Sequence, residues 1–527
     1  MERIKIIGAG LSGLSAAITL AQKGYKSTLI SLQPSERAQS VMAEGGINGA
    51  SNTMGENDSP VEHAADTLKA GVDLADPEAV NGFAEHAPKI HQWLVDLGAP
   101  LHRKDGKLIL RNFGGQKKKR TAYAQSSTGK VLMAALIDEC RKYEAAGVIH
   151  RLCHHEFLSL LIRGGRCEGA WVRDSYSGEG FGLAGPVIIA AGGLNGFFPG
   201  MTTGTTANSG DAAAILFAQG VAFANLEFIQ YHPTTVQIPG KRMLISEAAR
   251  GEGGRLFVER NGSPWYFMEE KYPELGNLMP RDVVSREMYY VMHDDSTGRQ
   301  VYLDLRGLSQ KTWKEKLADL QEEIRYYLAI DPSKEPVPVS PGIHYFMGGI
   351  YVDRCHRTSI DGLYAAGECS CQYHGANRLG GNSTLGAIYG GMTAANTAMA
   401  EFHEDFAEPG PDEMPEWAPN SPVFAGQLRD VLLSGLGILR DEESLNRALD
   451  QLEHLPHSDN PIDKKRRLFA QAMLLSARER RESRGAHTRT DHPKRDDEHF
   501  RRTSVVRLSK GETDLRYEEI GKDFAND

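Results

Sequence analysis

Short apolar runs and glycine-rich turns alternate at the start of the chain. Residues 5–7 form a short run that ends in two isoleucines, residues 8–13 contain three glycines, and residues 14–21 have helical composition. A second apolar run covers residues 27–31. This order predicts a buried strand, a tight turn, a helix and a second strand at the start of an α/β domain.

The turn after the first strand has the spacing Gly8-x-Gly10-x-x-Gly13. The first glycine permits a tight turn, the second lets the backbone approach a pyrophosphate, and the third lets the helix pack on the strand. Free N–H groups at the helix N-terminus would then face the phosphates. The pattern predicts a dinucleotide site. Its ribose contact should be weaker than usual, because the second strand ends at Ser31 and not at an acidic residue.

Later glycine turns indicate which dinucleotide is bound. The pair Gly45-Gly46 follows the second strand, and the apolar runs within residues 188–193 and 363–368 also end in glycine turns. Glycines at such places let the backbone lie close to a ligand. A nucleotide site that distant strands revisit suits a long, permanently held FAD better than an exchangeable NAD. We therefore expect FAD.

Composition and charge narrow the class of protein. The chain has 527 residues, 24% charged residues and a net charge of -9. These values indicate a soluble protein of roughly two to four domains. The chain lacks the excess of basic residues that is typical of a nucleic-acid-binding protein. The six scattered cysteines fit no disulfide framework, zinc site or iron–sulfur centre, so we expect no metal. With no secretory signal or membrane-crossing run, we expect a cytoplasmic location.

Four segments concentrate charged, polar and glycine residues more than packing requires. They contain His232, Arg281, His344 and Arg378. Arginine holds a carboxylate through two parallel hydrogen bonds, and histidine adds a donor of small volume. The four side chains would therefore bind a dianionic substrate if they converge. Taken singly, each arginine is better interpreted as a surface ion pair and each histidine as a loop residue.

Together with the glycine loop, these segments make the chain resemble the flavoprotein subunit of fumarate reductase and succinate dehydrogenase, a family that includes L-aspartate oxidase. The similarity extends from Ile4 to about His499. Its motifs, in order, are residues 8–13, 44–46, 113–115, 232–234, 247–254, 280–282, 344–349, 374–383 and 482–487.

The resemblance implies a role for each matching residue. Arg281 stands at the place of a proton-donating arginine, and Glu247 and Arg250 stand where a relay returns the proton. The positions that bind the dicarboxylate are His232, Ser246, His344 and Arg378, with Ser246 in place of the more usual threonine. The positions that contact FAD are Gly8, Gly10, Gly13, Ser31, Ser40, Gly45, Gly46, Asp211, Glu368, Ser383 and Thr384.

The reaction that the resemblance implies is the reduction of fumarate to succinate. Arg378, His344 and His232 would clamp the carboxylates, a hydride would pass from flavin N5 to one carbon, and Arg281 would protonate the other. Positioning and electrostatic preorganisation would supply most of the rate. Because a guanidinium normally keeps its proton, this role requires a strongly basic carbanion and resupply of the proton through the relay.

Two positions depart from other members of the family. Many membrane-bound members attach FAD through a histidine that precedes the Gly-Gly turn, but this chain has Gln39 before Ser40. We therefore expect non-covalent FAD and a bias toward fumarate reduction, since loss of the covalent bond impairs succinate oxidation more. L-aspartate oxidases place a glutamate near the substrate ammonium where this chain has Phe113. An unpaired buried ammonium is costly, which favours fumarate or succinate over aspartate.

Three alternatives to fumarate reduction stay open at this point. The first is an L-aspartate oxidase, which converts aspartate to iminoaspartate. The second is an enzyme that acts on another unsaturated acid. The third is a flavin-bound subunit that serves assembly or electron storage without turnover of its own. Reduction of the bound flavin by aspartate would favour the first, and reduction of fumarate by the isolated protein would exclude the third.

The expected fold class is α/β, with a Rossmann-like FAD-binding domain, an inserted α+β capping domain and a C-terminal helical domain. The FAD-binding domain should cover residues 1–225 and 339–407, with helices near 77–97 and 129–146. The capping domain, residues 226–338, should exclude water from the flavin when it closes. A proline-rich linker (408–422), a helical domain (423–486) and an irregular, charged tail (487–527) should follow.

The resemblance also implies partner subunits. Electrons would arrive from an iron–sulfur subunit, and any attachment at the inner face of a membrane would come through partners only. The basic run at residues 117–120 could suggest nucleic acid. In an acidic chain a solvated face or a docking edge is the better interpretation.

Overall fold

The computed structural model describes residues 3–124, 127–403, 406, 409–410 and 413–524. At its centre lies a five-stranded parallel sheet. The strand order is Leu363–Ala365, Val187–Ile189, Ile4–Ile7, Ser27–Ser31 and Ile149–Cys153. The first four of these strands are fully buried, as expected of a parallel sheet covered on both faces. The predicted strands beside the glycine turns are therefore confirmed.

Helices cover this sheet and hold the glycine loop in place. The first helix, Leu11–Gln22, packs against Thr128–Ala145 and Asn382–Ala400. A Cβ added at Gly391 would lie 2.2 Å from the backbone oxygen of Ser12, so these helices approach closely. The other helices and 3-10 turns of this region are Pro60–Ala70, Pro77–Asp96, Asp211–Ala218, Ser35–Arg37, Gln39–Met42 and Asn195–Phe197. The helices predicted near residues 77–97 and 129–146 are confirmed.

Three smaller antiparallel sheets flank the parallel sheet. The first contains the strands Gly180–Ala184, Arg166–Asp174 and His155–Arg163. The second contains Ile47–Asn48, Thr121–Ala122 and Leu110–Arg111, and the third pairs Arg103–Lys104 with Lys107–Leu108. In the second sheet, Ile47–Asn48, which follows the Gly45-Gly46 turn, pairs with Thr121–Ala122.

A six-stranded sheet forms the capping region. Its strand order is Lys241–Leu244, Ile229–Ile238, Val337–Phe346, Thr297–Asp304, Arg255–Arg260 and Ser263–Trp265. Its helices and 3-10 turn are Glu247–Gly251, Phe267–Lys271, Gly276–Leu278, Arg281–Met292, Gln310–Lys316 and Ala318–Leu328. Two long paired strands, Ile229–Ile238 and Val337–Phe346, carry the chain into and out of this sheet. The second of them spans the expected domain boundary at residue 338.

Three helices, Pro422–Gly435, Glu442–Glu453 and Pro461–Glu479, follow the capping region and the second part of the FAD-binding region. They pack against one another within the expected helical domain. Of the expected linker, residues 408, 411 and 412 lie outside the described residues. None of the helices in the described part of the chain is long and apolar enough to span a bilayer.

The prediction of an irregular tail was wrong. The helix Asp497–Phe500 precedes a hairpin of Thr503–Ser509 and Glu512–Glu518. The hairpin joins a five-stranded sheet with Ser370–Cys371, Gly349–Tyr351 and Phe223–Ala224. Val505 and Val506 are buried in this sheet, while charged residues occupy the more exposed strand at its edge. The charge that suggested disorder therefore belongs to a solvent-facing edge strand.

Buried ion pairs connect separate parts of the chain. Arg120 was expected on a solvated face or a docking edge, but it is fully buried and pairs with Asp58 at 2.9 Å and Asp66 at 3.0 Å. A second network lies where the helical region meets the tail, in which Glu482 pairs with Arg480 at 3.0 Å and Arg484 at 2.7 Å. These charges are away from solvent, so each depends on its partners.

Candidate active site

A cavity of about 780 Å³ is lined by both the parallel-sheet region and the capping region. Its volume falls in the range of roughly 300–1,000 Å³ that is typical of ligand sites. The glycine loop lines it, and so do His232, Arg281, His344 and Arg378. The predicted nucleotide site and the predicted dianion site therefore belong to one continuous cavity.

All the expected FAD contacts except Gly13 line this cavity. They are Gly8, Gly10, Ser31, Ser40, Gly45, Gly46, Asp211, Glu368, Ser383 and Thr384. Gly13 lies behind the loop, where an added Cβ would be 1.9 Å from the backbone oxygen of Gly8. Its role is to let the helix pack on the turn, and it does not line the cavity.

The polar atoms of this region fit FAD. The hydroxyl oxygens of Ser12 and Ser31 are buried in the cavity wall without a hydrogen-bond partner among the described residues. Such orphaned hydroxyls are costly, and phosphate and ribose oxygens would satisfy them. Gly8 has φ +117, and a Cβ there would lie 2.1 Å from the backbone oxygen of Ala190. The turn therefore requires glycine and leaves the backbone free to face a pyrophosphate.

Gln39 lines the cavity at the start of the 3-10 turn Gln39–Met42. Its side-chain oxygen accepts a hydrogen bond from the backbone N–H of Thr205 at 2.6 Å. The neighbouring Ser40 accepts a hydrogen bond from the N–H of Leu11 at 3.1 Å, in the first turn of the helix that follows the glycine loop. Gln39 and Ser40 thus link two walls of the cofactor cavity.

Two histidines form one side of the substrate end. The rings of His232 and His344 have centroids 5.0 Å apart and meet edge to face. They come from the paired strands Ile229–Ile238 and Val337–Phe346. Burial, Arg281 and the other histidine lower the pKa of His232 well below its usual value. Burial and the two arginines nearby lower the pKa of His344 in the same way, so both rings are neutral at physiological pH.

Arg281, Glu247 and Arg250 form a buried chain of charges. The Nε and Nη2 atoms of Arg281 lie 2.8 and 2.7 Å from Oε2 of Glu247. The other carboxylate oxygen accepts the N–H of Gly114 at 3.1 Å and lies 3.8 Å from Arg250. Burial raises the pKa of Glu247, but Arg281 and Arg250 outweigh it, so the net shift is downward. Glu247 therefore stays ionised between two cations.

Gln230 was not assigned a role from the sequence, yet it connects the two principal arginines. Its Oε1 accepts hydrogen bonds from Arg281 at 3.1 Å and from Arg378 at 3.0 Å. Its amide nitrogen donates to Asn377 at 2.8 Å and to the backbone oxygen of Arg378 at 2.9 Å. The available signal was its place two residues before His232 on one strand, because strand side chains repeat their direction every second residue.

Arg378 lies between the cofactor and substrate parts of the cavity. It donates to Ser383, an expected FAD contact, at 3.1 Å, and its guanidinium lies 4.3 Å from the ring centroid of Tyr345. Burial and Arg281 lower the pKa of Arg378 to about 9, so it remains a cation at neutral pH. Its Nε has no hydrogen-bond partner among the described residues and is available to an anionic ligand.

Ser246 and Glu44 add polar groups to the cavity wall. Ser246 caps the helix Glu247–Gly251 by accepting the N–H of Ala248 at 3.4 Å. Glu44 was not assigned a role from the sequence, although it directly precedes the Gly45-Gly46 turn. Burial and the negative charge of Glu323 raise the pKa of Glu44 well above its usual value. Burial therefore disfavours the ionised form of this side chain in the cavity.

Phe113 is placed beside the charged groups but behind the cavity surface. It is 4% exposed. A Cβ added at Gly45 or at Gly380 would lie 3.2 Å from its ring, and the one at Gly380 would also lie 3.2 Å from Arg281. The ring thus packs between two glycine turns, next to the proton-donor candidate and to Glu247, whose Oε2 would also lie 3.2 Å from a Cβ at Gly380.

Metal-ligand clusters are absent from the part of the chain that the structure describes. No three histidine, cysteine, aspartate or glutamate side chains there are arranged to hold an ion. The adjacent residues Cys153-His154-His155 and Cys355-His356 belong to no such arrangement. His356, for example, is fully buried and bonds to the backbone oxygen of Ala365 at 2.6 Å.

The fold and the cavity define an FAD-dependent oxidoreductase whose cofactor site opens onto a cluster of arginines and histidines. Residues 4–384 match the family described as FAD binding domain. Residues 425–524 match the family described as fumarate reductase flavoprotein C-term. The chain belongs to the family of succinate dehydrogenase and fumarate reductase flavoprotein subunits, as the resemblance implied.

Known relatives cover nearly the whole chain. It is 37% identical to the succinate dehydrogenase flavoprotein subunit of Bacillus subtilis, over 96% of this chain and 93% of that protein. It is 32% identical to the L-aspartate oxidase of Streptomyces coelicolor, over 97% and 92%. A structure of a mutant E. coli quinol fumarate reductase superposes with a TM-score of 0.88 at 30% identity, covering 99% of this chain and 97% of that chain. The predicted fold class is confirmed.

Proposed function

We propose that this chain reduces fumarate to succinate as the flavoprotein subunit of a fumarate reductase or succinate dehydrogenase type enzyme. The observation that carries the proposal is the shared hydrogen bond of Arg281 and Arg378 to Gln230, next to the pair of neutral histidines. Two cations held at a fixed separation match a substrate with a carboxylate at each end.

The charges of the site favour a dianion. Three arginines, Arg250, Arg281 and Arg378, surround the ionised carboxylate of Glu247, and burial raises the pKa of Glu44, so positive charge is in excess inside the protein. A fumarate dianion would neutralise it, with the histidines as hydrogen-bond donors or acceptors toward its oxygens. Because the site is shielded from water, these interactions would be stronger than on a surface.

Proton delivery follows the buried chain of charges. Bound FAD would supply the hydride that one fumarate carbon receives. A guanidinium N–H of Arg281 would protonate the other carbon, and Glu247, 2.7 Å from Arg281 Nη2, would pass to Arg281 a proton that it receives from Arg250. Arg250, which is 3.8 Å from Glu247 and bound to the backbone oxygen of Asn277 at 2.6 Å, would continue the relay.

Two parts of the proposal depend on Gln39: that the enzyme works in the direction of fumarate reduction, and that FAD is bound without a covalent bond. Its amide is bound to the backbone of Thr205, and a carboxamide has no nucleophilic ring nitrogen to offer the flavin. Denaturation with acid should release all of the FAD into the supernatant. Flavin that remains with the precipitated protein would contradict this part of the proposal.

A partner subunit is part of the proposal. The six cysteines are free, and four of them are buried, so we assign the electron-carrying iron–sulfur clusters to a separate subunit. Any membrane attachment would also come through partners. Purification of the native complex followed by electron paramagnetic resonance of the dithionite-reduced sample tests this. A complex without iron–sulfur signals would oppose the assignment.

L-aspartate oxidation is the principal alternative, because the chain is also similar to the L-aspartate oxidase of Streptomyces coelicolor. We favour fumarate because Phe113, at the position where L-aspartate oxidases carry a glutamate, is apolar and buried, so this position supplies no counter-ion for a substrate ammonium.

The experiment is anaerobic flavin spectroscopy of the purified protein. Dithionite-reduced protein should be reoxidised by fumarate within the dead time of manual mixing, while oxidised protein should not bleach with L-aspartate. Bleaching by L-aspartate would instead make the oxidase the leading function. Bleaching by succinate that is faster than reoxidation by fumarate would reverse the proposed direction.

A further inference from the structure

One wall of the cofactor cavity is built by the helical region and the segment before it. Residues 417–420 line the cavity, and so does Ile462 from the first turn of the helix Pro461–Glu479. From the sequence, residues 417–420 were expected in a linker, and no contact between Ile462 and the cofactor was expected. Their place in the cavity wall calls for a role at the FAD site.

Trp417 lies at the adenosine end of the cavity. The guanidinium of Arg173 lies 3.3 Å from the ring centroid of Trp417 and pairs with Glu156 at 3.1 Å. Glu156 lines the cavity just after the strand Ile149–Cys153, whose Cys153 is in register with Ser31. The end of the second strand, here Ser31, is where this fold class holds the adenosine ribose. Trp417 therefore stands near the ribose and not near the histidine pair.

Arg466 connects the same helix to the floor of the cavity. It is fully buried, and its Nη1 donates to Asp211 at 2.6 Å and to the backbone oxygen of Ser209 at 2.8 Å. Its Nη2 donates to the backbone oxygen of Gly196 at 2.8 Å, and its guanidinium lies 4.2 Å from the ring centroid of Phe197. Asp211 lines the cavity, so Arg466 fixes the orientation of a cavity carboxylate from the side away from the ligand.

The segment and the helix act as one unit. Asn460, which caps the helix, donates through its side-chain nitrogen to the backbone oxygen of Pro419 at 2.5 Å. Asp463 is fully buried and accepts the N–H of Ser421 at 3.2 Å. A shift of the helix would therefore move the segment and release Asp211 together.

We propose that residues 417–420 and the first two turns of the helix Pro461–Glu479 form an adenosine clamp that retains non-covalent FAD. In the clamp, Trp417 covers the adenosine end, and Arg466 is a positioning residue that holds Asp211. The inference rests on the proposed non-covalent attachment, because a cofactor without a covalent bond stays only as long as its contacts hold it. The clamp gives the helical region a function in cofactor binding.

The test measures FAD release from the full-length holoprotein, followed by the rise in flavin fluorescence after dilution. Trp417→Ala and Arg466→Lys should each raise the release rate by about tenfold or more, equivalent to ~1.4 kcal/mol per tenfold. The control for Trp417→Ala is Trp265→Ala, because the ring of Trp265 also lies close to an arginine guanidinium, 4.5 Å from that of Arg260, but outside the cavity. The control for Arg466→Lys is Arg467→Lys, because Arg467 is the next residue and donates to backbone oxygens within residues 452–456. Neither control should change the release rate.

Release rates of both clamp variants that equal the wild-type rate would overturn the proposal. Should Arg466→Lys fail to fold, Trp417→Ala decides the matter alone, because that side chain is only partly buried. Fumarate reduction is measured separately at saturating FAD, for the wild type and the two control variants. A wild type that binds FAD but does not reduce fumarate would refute the proposed function and leave the clamp standing.

Discussion

Arg281 and Arg378 share one hydrogen-bond acceptor, the side-chain oxygen of Gln230, at 3.1 and 3.0 Å. Both guanidinium groups are buried. Burial, and next the positive charge of Arg281, lower the pKa of Arg378 to about 9. One neutral amide thus holds two cations at a fixed separation. A bound dianion would relieve their repulsion, which couples substrate binding to the orientation of the proton donor.

Replacement of Gln230 by leucine should impair catalysis without loss of FAD. The change removes an acceptor from two charged donors, each hydrogen bond contributing about 1.5–3 kcal/mol. We expect kcat/KM for fumarate to fall about tenfold to a hundredfold, with part of the loss in kcat because Arg281 is no longer aligned. Steady-state kinetics at matched flavin content would measure it.

Gln237→Leu is the control for this prediction. Gln237 lies on the same strand, Ile229–Ile238, but is exposed. It should keep wild-type kinetics. A Gln230→Leu enzyme with unchanged kcat and KM would mean that the two arginines hold their positions without the shared acceptor.

Glu368 should make the stability of the FAD-free protein depend on pH. Burial raises the pKa of Glu368 to about 7 from its usual 4.5. Between these values the folded protein binds more protons than the unfolded chain, so stability falls as pH rises through this window and levels off above about 7. The total change is at most about 3 kcal/mol. Glu368→Gln should remove this component, which urea unfolding at pH 5 and pH 8 would measure.

The exposed Glu274 provides the matching control, since Glu274→Gln should leave the pH profile of stability as in the wild type. If Glu368→Gln loses as much stability between pH 5 and pH 8 as the wild type does, the raised pKa of Glu368 would be refuted.

The ion network around Glu482 should be essential for stability. Glu482 is fully buried and bonds to Arg480 at 3.0 Å and to Arg484 at 2.7 and 2.8 Å. Glu482→Gln removes a negative charge that both arginines contact, and we expect the free energy of unfolding to fall by about 3–5 kcal/mol. Glu479→Gln breaks a partly exposed pair with Arg478 and should cost about 0–1 kcal/mol. Equal Tm changes in the two variants would argue against a structural role for the network.

The nucleotide half of the site could be predicted from the sequence because its signal is local. The spacing of Gly8, Gly10 and Gly13 fixes a strand, a turn and a helix within one short stretch, and the structure has each of them. The site residues Gln230 and Glu44 gave no such signal. Their roles depend on the approach of segments that are distant in sequence, and this is decided by the packing of the capping region on the parallel sheet.

The tail hairpin was missed for a different reason. Its composition is charged, but Lys510 and Gly511 both have positive φ, at 52 and 85, as a two-residue hairpin turn requires. The glycine was a usable signal for the turn. What the sequence could not provide was the partner strand Phe223–Ala224, which lies far away in the chain and buries Val505 and Val506.

The proposed reaction depends most on the protonation of fumarate by Arg281. The most direct measurement is the rate at which fumarate reoxidises the reduced flavin in an anaerobic stopped-flow experiment, for the wild type, Arg281→Lys and the control Arg286→Lys on the same helix. We expect rapid reoxidation in the wild type and the control. Arg281→Lys should be slower by about a hundredfold to ten-thousandfold, with FAD still bound and fumarate still perturbing the flavin spectrum. Reoxidation by Arg281→Lys at the wild-type rate, or a wild type that fumarate does not reoxidise, would contradict the account.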